Sequence, residues 1–214
     1  MIRQVHDVED LAVNEPEQRL AARGDTLERF SVVVVGGGQA GLAAGYDLAQ
    51  RGIDFVILER ESRLGENWRP HWDSLRLFTQ APFEGLPGLP FQSKQGTCIT
   101  KDEVSEYLER YAERFGLPVR TGIDVLGLTA DERGHLVVEW DHGSLIAGEV
   151  IVASDLHVPP RKSTHRGDRR MIRLRPGDYR TLSQLSQGGE LVVVGASSTG
   201  LPPRAFQGML GEGS

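Results

Sequence analysis

Residues 32–59 read VVVVGGGQAGLAAGYDLAQRGIDFVILE. An apolar strand runs into a glycine turn, a helix, a second strand and then an acid. Gly36, Gly38 and Gly41 form G-x-G-x-x-G directly after the strand, and Glu59 closes the second strand 18 residues after Gly41. Each part has a physical reason. Gly36 allows the tight turn, Gly38 lets the backbone approach a pyrophosphate, and Gly41 lets the helix pack closely on the sheet. The helix start at Gln39 and Ala40 offers N–H groups and a partial positive charge to phosphates. Glu59 can accept hydrogen bonds from the adenine-side ribose. Glycine spacing alone is a weak signal. Strand, helix and acid standing in place around it make a site for the ADP half of a dinucleotide. The competing reading is an α/β sheet whose glycines serve packing only.

The remaining composition restricts the alternatives. A chain of 214 residues can bury one good core, or one domain and part of another. With 39% hydrophobic and 25% charged residues it is expected to be globular rather than disordered. A net charge of −6 gives no general attraction to nucleic acid or anionic membrane. The basic stretch 161–175 reads as a solvated loop. Cys98 is the only cysteine, which excludes internal disulfides and cysteine metal clusters and fits a reducing compartment. The start MIRQVHDVEDLAVNEPEQRL lacks the apolar run of a signal peptide, and no stretch reaches the roughly 18 apolar residues of a membrane span. A cytoplasmic protein with no nucleic-acid or membrane partner is expected.

Periodicity sets the elements. Residues 1–30 form a polar leader, with a short helix at 16–23. Strands are expected at 31–36 and 54–59, with a helix at 39–51 between them that Gly52 stops. The unbroken valines suit a parallel strand buried on both faces. Residues 60–100 read as irregular, and so long a loop is usually functional. A helix is expected at 101–115, with Val104, Tyr107, Leu108 and Tyr111 on one face and Asp102 capping its start. Short strands at 119–121, 124–130, 135–141 and 144–147 form a β-meander, and 149–153 returns as a buried strand. A last strand at 191–195 ends in a second glycine turn. LVVVGASSTG at 191–200 repeats VVVVGGGQAG at 32–41, which suggests two nucleotide sites.

The order of further segments is more specific. Gly65-Glu66-Asn67-Trp68-Arg69 is followed by Trp72-Asp73-Ser74-Leu75-Arg76-Leu77-Phe78-Thr79. Next come Gly85-Leu86-Pro87-Gly88-Leu89-Pro90-Phe91 and Thr100-Lys101-Asp102-Glu103-Val104. From residue 31 to about 200 the chain resembles the bacterial flavin-containing monooxygenase group. The resemblance implies an α/β, Rossmann-like FAD-binding domain at 31–155, with a parallel sheet and a β-meander. The start of a second, NAD(P)H-binding domain would follow at 156–214. It implies FAD at Gly36, Gly38, Gln39, Ala40 and Gly41, with Glu59 on the ribose and Arg60 beside it. Trp68, Arg69, Trp72 and Leu77 would lie near the flavin, Arg69 serving the pyrophosphate. NADPH would sit at Gly195, Ser197, Ser198, Thr199 and Gly200. The nicotinamide would reduce the flavin, which would then activate dioxygen to oxygenate a small organic substrate. No catalytic side chain and no oligomeric state is implied. Ser197, His165 and Asp155 lack a G-x-S-x-G elbow for hydrolysis. His71, His135, His142 and His157 lack metal-ligand spacing, so no metal is expected.

Three departures stand against that pattern. Ser197 occupies the middle glycine of the second turn, which weakens the NADPH inference. Ala153-Ser154-Asp155 replaces the usual A-T-G, and Arg175-Pro176-Gly177 stands where a His-Ser pair precedes Asp178-Tyr179-Arg180. After Gly200, Leu201-Pro202-Pro203 and Gly208, Gly211 and Gly213 make a poor helix. This tail is unlike the group, and a truncated, catalytically impaired nucleotide-binding fragment is the alternative expectation it raises.

Overall fold

The computed structural model describes residues 28–80, 85–92, 98–131, 134–154, 174 and 177–185. The expected helix at 16–23, the strand at 191–195, the second glycine turn and the tail beyond Gly200 lie outside the described residues. So do His157, His165 and Asp155.

Chain order is β1 (Arg29–Val35), α1 (Gln39–Gln50), β2 (Phe55–Leu58), β3 (Arg76–Gln80), β4 (Cys98–Thr100) and α2 (Lys101–Phe115). Then follow β5 (Val119–Arg120), β6 (Val125–Ala130), β7 (Leu136–Trp140), β8 (Gly143–Val152) and a 3-10 turn at Leu182–Gln184. One sheet has the order β5-β2-β1-β8-β7-β6. Its β5, β2, β1 and β8 are parallel, and β8, β7 and β6 are antiparallel. The architecture is therefore α/β and Rossmann-like, with the expected parallel sheet and meander. The meander returns the chain so that β8 lies beside β1.

β1 explains why the sheet is buried on both faces. Alternate side chains of a strand point to opposite sides. Val32 and Val34 join Leu42, Ile57, Leu108 and Tyr111 in the core on one face. Val33 joins Val56, Leu58, Val138 and Leu145 on the other. Each such fully buried side chain contributes about 1.5–3 kcal/mol over leaving it in water.

Four expectations need correction. The strands expected at 144–147 and 149–153 are one strand, β8. Gly148 does not break it but lets β1 approach: a Cβ there would stand 2.9 Å from the Ser31 carbonyl oxygen. The end of β8 is not buried, since Val152 is 66% exposed. Its pairing with β7 stops at Ala147, and beyond that it pairs with β1. The region 60–100 is not wholly irregular, because β3 and β4 form a two-stranded antiparallel sheet pairing Arg76 with Thr100. Finally, Thr100 rather than Asp102 caps α2. Its side chain accepts from the Glu103 N–H at 3.2 Å, and Glu103 accepts from the Thr100 N–H at 2.7 Å. This capping box satisfies two helix-end donors at once, while Asp102 pairs with Lys101. Gly116, at φ 58°, supplies the left-handed C-terminal stop.

Candidate functional site: a glycine turn at the start of α1

The site forms where β1 gives way to α1. Gly36 has φ 110°, and a Cβ on it would stand 2.7 Å from the Ala153 carbonyl oxygen. Only glycine fits there. The Gly36 N–H donates to Leu58 O at 2.8 Å, tying the turn to β2. A Cβ on Gly41 would stand 1.9 Å from Gly36 O, so α1 packs directly on the turn. One helical turn on, a Cβ at Gly45 would meet Ile57 Cδ1 at 2.7 Å.

Gly38 differs from these. It is the N-cap of α1, with ordinary backbone angles (φ −77°, ψ −170°). Among the described residues a Cβ there meets nothing within 4 Å. No side chain caps the helix and its first turn carries no acid. The amides of a first helical turn have no intrahelical acceptor, and those of Gln39 and Ala40 lie on exposed residues. Open space, unclaimed amides and the positive end of the helix dipole together suit an anion such as a pyrophosphate.

The structure brings Glu59 to the same turn. Its Oε2 accepts the N–H of buried Gly37, and its Oε1 accepts the Glu61 N–H at 2.9 Å. Each carboxylate oxygen has two lone pairs, so one position on each remains open to a ligand hydroxyl. Arg60 points elsewhere, pairing with Glu61 at 3.2 Å with 65% of its side chain exposed.

The Trp-Arg segment packs behind the turn. Trp68 and Leu77 are partly buried against the core that holds Val34 and Leu42. His71 Nδ1 lies 3.0 Å from the Trp68 carbonyl oxygen, and among the described residues the buried indole N–H of Trp72 has no hydrogen-bond partner. The Arg69 guanidinium donates to Leu64 O at 3.1 Å and pairs with Glu109 at 3.0 Å and Glu66 at 3.4 Å. Its charge thus serves these groups, and none of these contacts reaches the glycine turn. The predicted residues Gly195, Ser197, Ser198, Thr199 and Gly200 lie outside the described residues. Among the described residues no group of His, Cys, Asp and Glu could hold a metal ion. No helix among them is long and apolar enough to cross a membrane.

Several contributors are not evident from the sequence motifs. Leu64 leans on Gly37, its Cδ2 lying 2.6 Å from where a Cβ would stand. Lys101 and Ser105 are buried polar residues on the apolar face of α2, and a polar interruption of such a stripe was the available signal. Tyr107 accepts from the Leu86 N–H at 2.7 Å and donates to Leu89 O at 2.6 Å. Tyr111 donates to Pro87 O at 2.6 Å. Both phenols are pushed up by burial. Together they hold the 86–89 turn on α2. A groove of about 430 Å³ beside it, lined by Leu89, Pro90, Tyr107 and Arg110, shares no residue with the glycine turn.

Known proteins are similar to this chain in sequence and fold. Residues 33–201 match the family model for pyridine nucleotide-disulphide oxidoreductases. The chain is 36% identical over 173 residues to a CzcO-like oxidoreductase of Geobacillus kaustophilus, a match covering 79% of this chain and 49% of the relative. The structure resembles a flavin-containing monooxygenase from Stenotrophomonas maltophilia at TM-score 0.57 and 38% identity, covering 59% of this chain and 38% of that one. It also resembles an oxidized steroid monooxygenase bound to NADP, at TM-score 0.54 and 27% identity, covering 62% and 28%. The chain thus spans about half the length of the curated relative. It belongs to the pyridine nucleotide-disulphide oxidoreductase family and resembles flavin-containing monooxygenases.

Proposed function

We propose that this chain binds FAD at the Gly36–Gly41 turn as part of an NADPH-using monooxygenase acting on a small organic substrate. The observation that supports it most is the open space at Gly38, set at an uncapped helix start with Glu59 beside it. In this reading the amides of Gly38, Gln39 and Ala40 hold the pyrophosphate. Glu59 uses its remaining lone pairs for the adenine-side ribose hydroxyls. Gly36 and Gly41 keep α1 close enough for those amides to converge. Trp68 and Leu77 shape the apolar wall toward the ring end of the cofactor. Arg69 acts through Glu109 and Leu64, holding its segment in place rather than meeting the phosphate. Gly195, Ser197, Ser198, Thr199 and Gly200 are proposed to receive NADPH. FAD held there would supply redox chemistry between a nicotinamide and dioxygen; the protein's part is to bind, orient and exclude water. The similarity to a monooxygenase structure holding NADP supports the choice of nicotinamide cofactor.

The test is an absorption spectrum of the purified protein, before and after NADPH under limited oxygen. A visible flavin band that bleaches on NADPH addition supports the whole reading. A flavin band unaffected by NADPH leaves nucleotide binding and removes turnover by this chain. A colourless protein that takes up no added FAD refutes the proposal.

A further inference from the structure

Residues 64–69 run between the glycine turn and α2, and the contacts at their two ends differ in kind. Toward the turn the contact is steric: Leu64 is 7% exposed and abuts Gly37. Toward α2 the contacts are polar and come from Lys101, Ser105 and Glu109, which repeat every four residues and so share one helix face. Ser105 Oγ lies 2.9 Å from the Gly65 carbonyl oxygen and 3.1 Å from that of Lys101, a single proton serving both. A Cβ on Gly65, at φ 70°, would stand 2.6 Å from Ser105 Cα, so the segment's backbone lies directly on the helix. Lys101 Nζ donates to the Arg69 carbonyl oxygen at 3.0 Å, and Glu109 holds the Arg69 guanidinium. Trp68 is fixed between these anchors by its own N–H, which donates to Gly65 O at 3.1 Å.

Such anchors are a poor choice if stability alone is at stake. Lys101 and Ser105 are 9% and 1% exposed. A buried ammonium is costly unless fully partnered, and replacing a whole buried polar pair by well-packed apolar groups is often neutral or stabilising. What the polar groups supply is a fixed location for the backbone of residues 65 and 69. We propose that Lys101, Ser105 and Glu109 are positioning residues of the nucleotide site. They clamp residues 64–69 against the glycine turn, so that Leu64 braces Gly37 and the amides of the turn are held at their spacing. The inference rests on reading Gly36–Gly41 as the FAD site.

The experiment uses the full chain with Lys101→Met, Ser105→Ala and Glu109→Gln, and with Lys101→Arg as the conservative variant. FAD affinity comes from flavin fluorescence titration. Melting of the FAD-free protein and amide hydrogen exchange at residues 36–41 and 64–69 are measured alongside. Lys101→Met is expected to weaken FAD roughly tenfold, the equivalent of one net hydrogen bond, beyond any loss of FAD-free stability, which melting reports separately. Exchange is expected to rise at residues 64–69 and at Gly37, and Lys101→Arg is expected to recover most of the affinity. If Lys101→Met does not fold, the half-exposed Glu109→Gln carries the same test. Unchanged affinity, or exchange that rises at 64–69 but not in the turn, overturns the clamp. Gly38→Ala separates the two failures. If it weakens FAD binding while the α2 variants bind normally, only the clamp is wrong. If it too binds FAD normally, the site itself is misread.

Discussion

Gly38→Ala and Gly41→Ala are the same chemical change three residues apart, and the structure predicts opposite consequences for the free protein. At Gly38 the added methyl meets nothing within 4 Å among the described residues, and the backbone angles are open to any residue. Alanine is a poorer N-cap than glycine by several tenths of a kcal/mol. It also restricts the unfolded chain, worth about 0.4–1 kcal/mol in the opposite sense. The two terms nearly cancel, so stability without FAD should stay within about 0.5 kcal/mol of wild type. At Gly41 the methyl would lie 1.9 Å from Gly36 O. Ordinary C···O contacts begin near about 3.3 Å, so the start of α1 must retreat by more than about 1 Å. Overpacking of this kind costs about 1–3 kcal/mol. At about 2–4 °C per kcal/mol for a domain of this size, that lowers Tm by roughly 2–12 °C. FAD binding should fall in both variants. In Gly38→Ala the methyl occupies the space proposed for phosphate, and losing one charged N–H contact, about 1.5–3 kcal/mol, weakens FAD roughly 10- to 100-fold. Thermal melting without FAD and fluorescence titration with FAD give the four values. Equal melting losses in the two variants, or undiminished FAD affinity in Gly38→Ala, would refute the reasoning.

Three further outcomes follow from named contacts. Glu59→Ala removes the acceptor for the buried Gly37 N–H and for Glu61, so it should cost about 1–3 kcal/mol before any nucleotide is added; an unchanged urea midpoint without FAD would show the carboxylate is not holding the turn. Thr100→Ala opens the α2 capping box and should cost about 0.5–2 kcal/mol, read as a loss of Tm; no loss would mean the box is idle. Burial raises the Tyr111 phenol above its ordinary value near 10, so its stabilisation is complete below pH 10 and declines as pH rises beyond it, where the unfolded chain ionises first. Tyr111→Phe should lower Tm at neutral pH through loss of the Pro87 bond and flatten the alkaline decline; an identical slope in both proteins would contradict the assignment.

Where a feature depended on neighbours in sequence, it was legible. The apolar run, the glycines and the acid at 59 placed β1, α1 and β2 because each signal acts within a few residues. The span of α2 was readable from its apolar stripe. Its cap was not, because Thr100 and Asp102 both suit a helix start and only the Glu103 side chain decides between them. β3 and β4 escaped notice because Arg76 pairs with Thr100 across a long intervening segment. Gly148 looked like a strand break because its reason, the approach of Ser31 O, lies on another strand. In the site, Glu59 was visible as an acid, but its bond to Gly37 was not. Arg69 looked like a phosphate ligand because a guanidinium suits phosphate, whereas the fold gives it to Glu109 and Leu64 O. Sequence spacing marked the residues expected to carry chemistry; which partner each takes was settled by contacts between distant segments.

The central claim is that this glycine turn grips the ADP half of the cofactor. Competition against bound FAD tests it most directly. ADP, which carries the adenosine and pyrophosphate, should displace FAD in proportion to its concentration, and FMN, which lacks them, should not. Displacement by FMN with ADP inert would place the binding energy at the flavin end and contradict the account.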